Sequence, residues 1–325
     1  SENVEVFVDA VVSNNESFGR YAPPAAPGTM LASNPKNPYG VDVNGYFRWT
    51  DIGTRDNVVN DTMVDVNVGV NMDLANDMAL EAYYTYSDYR STSIGKYYLS
   101  YGGFAENVLY EVSDLDTYIA NLKTTTLNDD RQRMQKVFAG LQFDLMEMAG
   151  GTAVGYVAAE TFDVDYRADV DAQSEAGLVG GSAGNSAQGA RSVKAISAEA
   201  ILPVTDFLEV DVAVRYDDYD DFGSEVSPRV GATFTMIDDL TIKASYGQGF
   251  RAPDLSDLYG ATSFSAENAV DYYGCSLDGV SENDCPNRQF DTYIGSNPNL
   301  DAETSETMSL GAQYTYDDNW VGSIN

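Results

Sequence analysis

The chain alternates apolar and polar residues in about eleven separate stretches. The pattern is clearest between Val64 and Met72, where every second residue is Val or Met and the intervening residues are Asp, Asn or Gly. It recurs between Leu208 and Tyr216. A period of two places apolar side chains on one face of a β-strand and polar side chains on the other. We therefore predict an all-β chain with strands near residues 4–12, 63–72, 78–86, 137–145, 153–161, 195–202, 207–216, 227–236 and 240–247, and a final pair from about 307.

The connections between these stretches alternate between short and long. Short connections lie near residues 73–77, 146–151, 203–206, 237–239 and 317–319. Long connections lie near residues 13–62, 87–136, 163–194, 217–226 and 248–306. Tight turns at one end and long loops at the other are typical of a transmembrane antiparallel β-barrel with short periplasmic turns and long extracellular loops. A soluble sandwich has no reason to sort its connections in this way.

The strand lengths suit a membrane, although no stretch approaches the roughly 20 apolar residues of a transmembrane helix. A spanning strand needs only about 9–11 residues, which is the length predicted here. We expect the apolar face to contact lipid through Val64, Val66, Val68, Val210, Val212 and Val214. We expect the opposite face to line a hydrated, mostly acidic lumen with Glu81, Gln142, Asp144, Glu160, Glu199, Glu209, Asp211, Arg215 and Lys243.

Charge and composition exclude several classes of function. The 325 residues contain 18 Lys plus Arg and 51 Asp plus Glu, so the formal net charge is −33, and there is no histidine. This charge would repel nucleic acid. Without histidine, no nucleophile–histidine pair is possible, and the lumen carboxylates lie on separate strands. We therefore expect no catalytic residues, no cofactor and no metal site.

Two local features have alternative readings. The acidic run Asp217, Asp218, Asp220 and Asp221 could hold calcium, since that ion prefers oxygen ligands, but a solvated loop is the favoured interpretation. In the second long loop, apolar residues recur at helical spacing and predict a short amphipathic helix over residues 109–122. We expect its apolar stripe to pack against neighbouring loops.

The only two cysteines, Cys275 and Cys285, lie together in a polar part of the last long loop. A disulfide that closes this segment of the loop fits an oxidising, extracytoplasmic location. A metal pair is the alternative, but two thiols without histidine are a poor ligand set. We predict the disulfide.

The strongest local signal is a pair of motifs that flank this loop. In the first, glycines end a strand, Arg251 follows, and a proline stops strand pairing. The second is a turn that leads into the last long strand. We expect Arg251 and Glu303 to form a structural pair between the two motifs rather than a ligand contact. Their residues are Gly249, Phe250, Arg251, Ala252 and Pro253, and Asn297, Pro298, Leu300, Glu303 and Ser305.

These motifs closely resemble the GFRAP-type and NPxLxPExS-type segments of TonB-dependent outer-membrane receptors. Ala302 departs from the second segment, where the family usually has proline. Upstream, residues 215–231 resemble the family's RYD…DFG…SPK strand pair, with Arg229 in place of a common lysine. The resemblance extends over nearly the whole chain, and it has several elements in the family's order.

The resemblance implies a barrel of 22 strands around a globular plug in the outer membrane of a Gram-negative bacterium. Its partners would be outer-membrane lipid, the TonB complex and a scarce ligand, a ferric siderophore being the first expectation. A receptor for glycan, cobalamin or peptide, a passive porin-like channel and an extracellular β adhesin are the alternatives. We expect residues 1–325 to be a partial barrel domain of about eleven strands, without the plug, the TonB-contacting box or the closing strands.

Overall fold

A computed structural model describes residues 3–30, 32–33, 37–103, 120–180, 184–237, 240–260, 263–316 and 320–324. The helix predicted over residues 109–122 lies almost wholly outside these ranges, as do the turns predicted at 237–239 and 317–319. The strands are β1 Val4–Tyr21, β2 Ala25–Met30, β3 Val43–Arg48, β4 Arg55–Asp73, β5 Ala79–Ser100, β6 Lys123–Met148, β7 Gly151–Val170, β8 Val179–Gly180, β9 Ala187–Thr205, β10 Leu208–Tyr219, β11 Gly223–Ile237, β12 Leu240–Arg251, β13 Ser263–Val270, β14 Asn287–Ile294, β15 Glu303–Tyr316 and β16 Trp320–Ile324. Short helices lie at α1 Ala172–Glu175, α2 Leu255–Tyr259 and α3 Tyr272–Leu277, with 3₁₀ turns at Thr50–Ile52 and Glu282–Asp284.

One antiparallel sheet of 12 strands dominates the chain. Its neighbours follow the order β1-β4-β5-β6-β7-β9-β10-β11-β12-β15-β16, and β8 pairs with β5. Within the described strands, β1 and β16 lie at the two ends of this order. The small ribbons β2–β3 and β13–β14 lie in the connections. The predicted fold class, an all-β antiparallel partial barrel, is confirmed.

The register separates an apolar outer face from a polar inner face. Val70 lies opposite Ala82, and the same row continues through Ala139, Ala159 and Ile196 to Tyr216 on β10. Directly opposite residues share a face, so the six valines predicted to face lipid all lie on one side, here called the outer face. The predicted lumen residues lie on the other side, called the inner face.

The apolar part of the outer face ends at a defined level. On β5 it runs from Leu80 to Tyr86, and the next outer-face residue is Asp88. Above that level, Arg90 pairs with Asp129 at 2.6 Å and Arg131 pairs with Asp88. The apolar band between Val64 and Met72 on β4 has close to the roughly 9–11 residues that a spanning strand needs.

The long loops predicted at 13–62, 87–136 and 163–194 are wrong over much of their length. The strands continue beyond the apolar band, so that β5 has 22 residues and β6 has 26. Beyond the apolar band both faces of β5 and β6 are largely polar, which removes the alternation but leaves the backbone ladder intact. On β7 the apolar residues Phe162, Val164 and Tyr166 lie on the inner face instead. The ion pairs of this region, including Arg20 with Asp56 at 2.8 Å, add cross-strand support.

The short connections lie within about three residues of their predicted positions where the structure describes them. The β4–β5 turn occupies residues 74–78, and the backbone amide of Leu74 donates to the carbonyl of Met78 at 2.7 Å. Asn76 and Asp77 take left-handed φ values of 61° and 56°, which suits these two residue types.

Little of the chain is a conventional core, because one face of the sheet is apolar and exposed while the other is polar. A small cluster of Ile52, Leu99 and Leu122 lies at the far end of β5. Leu255 and Leu258 of α2 are also buried, with 8% and 1% of their surface exposed. The second pair belongs to the region where the sequence motifs meet.

Candidate functional site on the inner face

The two sequence motifs lie side by side in the structure. Strand β12 pairs with β15, so that Gly249 lies opposite Ser305 and Arg251 opposite Glu303. The backbone amide of Asn297 donates to the carbonyl of Asp257 in α2 at 2.8 Å. The residues that follow the first motif are thereby joined to the beginning of the second motif.

The predicted pair between Arg251 and Glu303 is present but weak. Their side chains approach to 3.8 Å and are 63% and 76% exposed. Arg251 forms a closer contact with Asp254, at 2.8 Å. Exposed ion pairs of this kind stabilise a fold by about 0–1 kcal/mol, so this pair is not the main link between the motifs.

The main link is Arg191 of β9, which the sequence reasoning missed because it placed residue 191 in a loop. Its Nε donates to Asp221 Oδ2 and its Nη2 donates to the carbonyl of Pro253, both at 2.8 Å. The guanidinium carbon lies 5.3 Å and 5.5 Å from the ring centres of Tyr219 and Phe222. Buried, charge-assisted contacts of this type hold the first motif against a strand that is distant in sequence.

Helix α2 completes this arrangement by packing against β9. An ideal Cβ built on Gly189 would lie 2.6 Å from Cδ2 of Tyr259, so only glycine allows this approach. Tyr219 also makes an edge contact with Phe250 of the first motif, with ring centres 5.9 Å apart. The first motif is thus a packed unit of the inner wall.

The acidic run at the end of β10 and in the turn that follows has two members with buried side chains, Asp217 and Asp221. Asp217 is 2% exposed and its carboxylate accepts from Arg215. Asp220 accepts from the backbone amide of Ser192 at 2.9 Å, and Asp221 accepts from Arg191. The favoured interpretation, a solvated loop, is therefore wrong for Asp217 and Asp221, because β10 and β11 continue almost to the turn and bring arginine partners to these two carboxylates. It holds for Asp218 and Asp220, whose side chains are exposed.

The inner wall below this point contains a connected ion network. Glu160 accepts from Lys136 Nζ at 2.6 Å and from Arg215, which also donates to Asp217 at 2.7 Å. Lys136, Glu160 and Arg215 belong to β6, β7 and β10, respectively. Strands β6 and β7 are adjacent in the sheet, and only β9 lies between β7 and β10. Both carboxylate oxygens of Glu160 are engaged in these ion pairs, so Glu160 is poorly suited to act as a general acid or base.

A cavity of about 520 Å³ lies between the inner face and the residues after the first motif. Its wall combines aromatic and apolar side chains with a few polar groups, among them Phe162, Tyr166, Arg191, Tyr219, Asp254 and Leu255. This composition is typical of sites for organic ligands, in which apolar surface supplies contact and a few polar groups orient the molecule. The cavity is therefore a candidate site for contact with a ligand.

The last long connection contains a hairpin that carries a disulfide. Cys275 and Cys285 are joined, with Cα atoms 5.9 Å apart. Cys275 belongs to α3, whose first turn is capped by the carboxylate of Asp271 accepting from the amide of Gly274 at 2.8 Å. The bond closes the segment between β13 and β14.

In the described ranges, no group of three or more His, Cys, Asp or Glu side chains could hold a metal ion. No helix found there is long and apolar enough to cross a membrane.

Curated proteins with similar sequences are siderophore receptors. The ferric enterobactin receptor PirA of Pseudomonas aeruginosa is 32% identical over 150 residues, covering 43% of this chain and 18% of that protein. The probable TonB-dependent siderophore receptor PirA of Acinetobacter baumannii is 30% identical over 117 residues, covering 36% and 14%. The matched part is therefore less than a fifth of either relative.

The fold also has solved counterparts. The RagAB peptide importer in its closed-closed state has a TM-score of 0.55 and 13% identity, covering 98% of this chain and 37% of that one. At this identity the likeness concerns the fold alone. The family model described as TonB dependent receptor-like, beta-barrel, matches residues 4–325. This chain therefore belongs to the TonB-dependent receptor-like β-barrel family.

Proposed function

We propose that this protein is an outer-membrane receptor that imports a ferric siderophore, with energy delivered by the TonB complex. The observation that carries the proposal is the family match over residues 4–325. The sheet agrees with it, since an apolar outer band suits lipid and a charged inner face suits a hydrated passage. The location would be the outer membrane of a Gram-negative bacterium.

The siderophore class rests on the two curated relatives, both of which are named as siderophore receptors. The cavity beside the first motif supports an organic ligand with ring systems, because Phe162, Tyr166 and Tyr219 line it. No bond of the ligand is broken in this function. The described residues contribute part of the barrel wall, and the free energy for transport comes from outside the chain.

Uptake in a bacterial host tests the proposal. The protein is expressed in full from its own gene in a Gram-negative host that lacks ferric-siderophore receptors, and radiolabelled iron bound to enterobactin is supplied. We expect accumulation of iron that stops when TonB is deleted or a protonophore is added. Accumulation that continues without TonB would indicate a passive channel.

A panel of other ligands separates the remaining alternatives. Catecholate and hydroxamate siderophores, cobalamin, an oligosaccharide and a peptide are offered to the same strain. Energy-dependent uptake of a ligand from outside the siderophore class, with no uptake of any ferric siderophore, would contradict the proposed substrate. Detection of the folded protein in the outer-membrane fraction is the control.

A further inference from the structure

Helix α2 begins at an aspartate whose side chain does not cap it. Asp254 occupies the N-cap position with φ −67° and ψ 149°, yet its carboxylate accepts no hydrogen bond from the amides of α2. Asp171 has nearly the same backbone angles, −64° and 150°, and its carboxylate accepts from two amides of α1. Asp271 likewise caps α3 through the amide of Gly274. Asp254 therefore has the backbone geometry of an N-cap, while its side chain is engaged elsewhere.

The group that engages Asp254 is Arg251. Nη2 of Arg251 lies 2.8 Å from Oδ2 of Asp254, and its Nη1 lies 3.8 Å from Oε1 of Glu303 on the adjacent strand. All three side chains are more than half exposed, so their rotation meets little obstruction. An exposed ion pair and an N-cap hydrogen bond each contribute a small stabilisation of similar size. The arrangement seen here and one in which Asp254 caps α2 are therefore close in free energy.

Two arginines lie at the cavity beside the first motif, and they differ in how firmly they are held. Arg191 is 9% exposed, and its contacts with Asp221 and the carbonyl of Pro253 fix it in the wall. Arg251 is 63% exposed and contacts Asp254, which lines the cavity. If Asp254 leaves Arg251, its carboxylate can accept from the amides at the start of α2, which offsets the lost ion pair. Arg251 is therefore a cation that can exchange its partner at low cost.

We propose that Arg251 is a specificity-determining residue that binds an anionic oxygen of the ligand, and that Asp254 occupies this position until the ligand arrives. When the oxygen of the ligand pairs with Arg251, the carboxylate of Asp254 turns onto the amide of Ser256 and caps α2. Arginine suits this role because its planar guanidinium recognises paired anionic oxygens. The inference rests on the proposed function and deepens it, since it names the charge that the receptor requires of its ligand.

Amide hydrogen exchange of the full protein in detergent, measured at Ser256, tests the switch without any ligand. In the wild type Arg251 holds Asp254, so the amide of Ser256 should exchange readily. Arg251→Gln releases Asp254 to cap α2, and exchange at Ser256 should slow about fivefold. Adding Asp254→Ala to that variant removes the cap and should restore the wild-type rate. Equal exchange in the wild type and Arg251→Gln would overturn the proposal.

Binding of two ferric probes tests the charge requirement. Ferric enterobactin is a catecholate complex with a net negative charge, and ferrioxamine B is a hydroxamate complex with a net positive charge. Arg251→Gln should weaken binding of ferric enterobactin about tenfold and should not weaken any binding of ferrioxamine B. Arg167→Gln, at an exposed pair with Asp169, is the matched control and should change neither.

Variants of Asp254 separate its two roles. Asp254→Asn keeps a good N-cap and removes the competing charge, so it should strengthen binding of ferric enterobactin about threefold. Asp254→Glu keeps the charge but caps poorly, and should not strengthen it. An equal loss of both probes in Arg251→Gln, or weaker binding of ferric enterobactin in Asp254→Asn, would overturn the proposal. Failure of every ferric siderophore to bind the wild type would contradict the proposed function instead, and the exchange at Ser256 tests the Asp254 switch in either case.

Discussion

Nη2 of Arg191 donates a 2.8 Å hydrogen bond to the backbone carbonyl of Pro253. This contact joins β9 to the end of the first sequence motif across two intervening strands of the sheet. Arg191 and its partner Asp221 have side chains that are only 9% and 4% exposed. The family motif is therefore held by a residue outside it.

Replacing Arg191 should destabilise this region strongly. Arg191→Ala removes one partner of a buried pair and leaves the Asp221 carboxylate without its cation, a change that typically costs about 3–5 kcal/mol. We expect the temperature at which the folded protein loses its heat-modifiable gel mobility to fall clearly. Arg167→Ala removes a pair that is 66% and 38% exposed and should shift that temperature little. Equal shifts in the two variants would contradict the structural role of Arg191.

Gly189 offers a test of how α2 packs. Gly189→Ala places a Cβ 2.6 Å from the ring of Tyr259 and should push α2 away from β9. Gly247→Ala is the matched control, because its nearest neighbours would lie at 3.7 Å or more. We expect faster proteolysis between residues 252 and 260 in the first variant alone, measured by fragment mass. A stable α2 in Gly189→Ala would show that the close approach is not required.

The apolar band of the outer face predicts that the same substitution has very different effects at two neighbouring residues of β10. Val212 lies on the outer face opposite Val230, so Val212→Arg would place a charge in lipid at a cost of about 2–4 kcal/mol. Ala213 lies on the hydrated inner face between Glu199 and Arg229, where an added arginine meets water, one carboxylate and one guanidinium group. We expect Val212→Arg to reduce the folded protein in the membrane fraction and Ala213→Arg to leave it near wild type. The reverse order would mean that the faces are assigned wrongly.

Acid should loosen the strand extensions above the band. Hydrogen bonds from Arg90 lower the pKa of Asp129 despite its partial burial, as those from Arg20 lower the pKa of Asp56. A carboxyl with a lowered folded pKa contributes stability above its unfolded pKa, about 4, and loses it as pH falls through the folded value. We expect amide hydrogen exchange, corrected for intrinsic rates, to become faster below about pH 4 at the C-terminal end of β5 and the N-terminal end of β6.

The variant Asp129→Asn separates this ion pair from general acid effects. It should raise exchange in the same segment already at neutral pH and flatten its response to acid. Asp165→Asn is the control, since Asp165 makes no ion pair with a described residue. If the Asp129→Asn variant responds to acid as the wild type does, the pair between Arg90 and Asp129 is not the cause of the acid sensitivity.

The disulfide should act locally. Replacing Cys275 and Cys285 by serine releases the closed segment of the hairpin, and loops of this size lose about 2–3 kcal/mol of local stability when opened. We expect proteolytic cuts between residues 276 and 284 to appear faster, with the heat-modifiable mobility of the whole protein unchanged. Reduction of the wild-type protein should reproduce the cuts. Loss of the folded form in the double variant would assign the bond a global role.

The local sequence pattern by itself determined the positions of the strands in the apolar band, the two faces of the sheet and the family. The alternation from Val64 to Met72 identifies the strands and sorts their faces, because side chains of a strand point alternately to opposite sides. The β4–β5 turn lies where this alternation stops, and Asn76 and Asp77 accept the left-handed backbone angles found there. The motifs around Arg251 and Glu303 indicated the family without any structure.

Other features were decided only by the tertiary structure. The extensions of β5 and β6 beyond the band carry no alternation, since both of their faces meet polar surroundings, and their pairing depends on partners on the neighbouring strand. The contact of Arg191 with Pro253, and the burial of Asp217 and Asp221, likewise require strands that are distant in sequence to meet in one register. Sequence alternation specifies which way a side chain points, whereas the sheet specifies which residue it reaches.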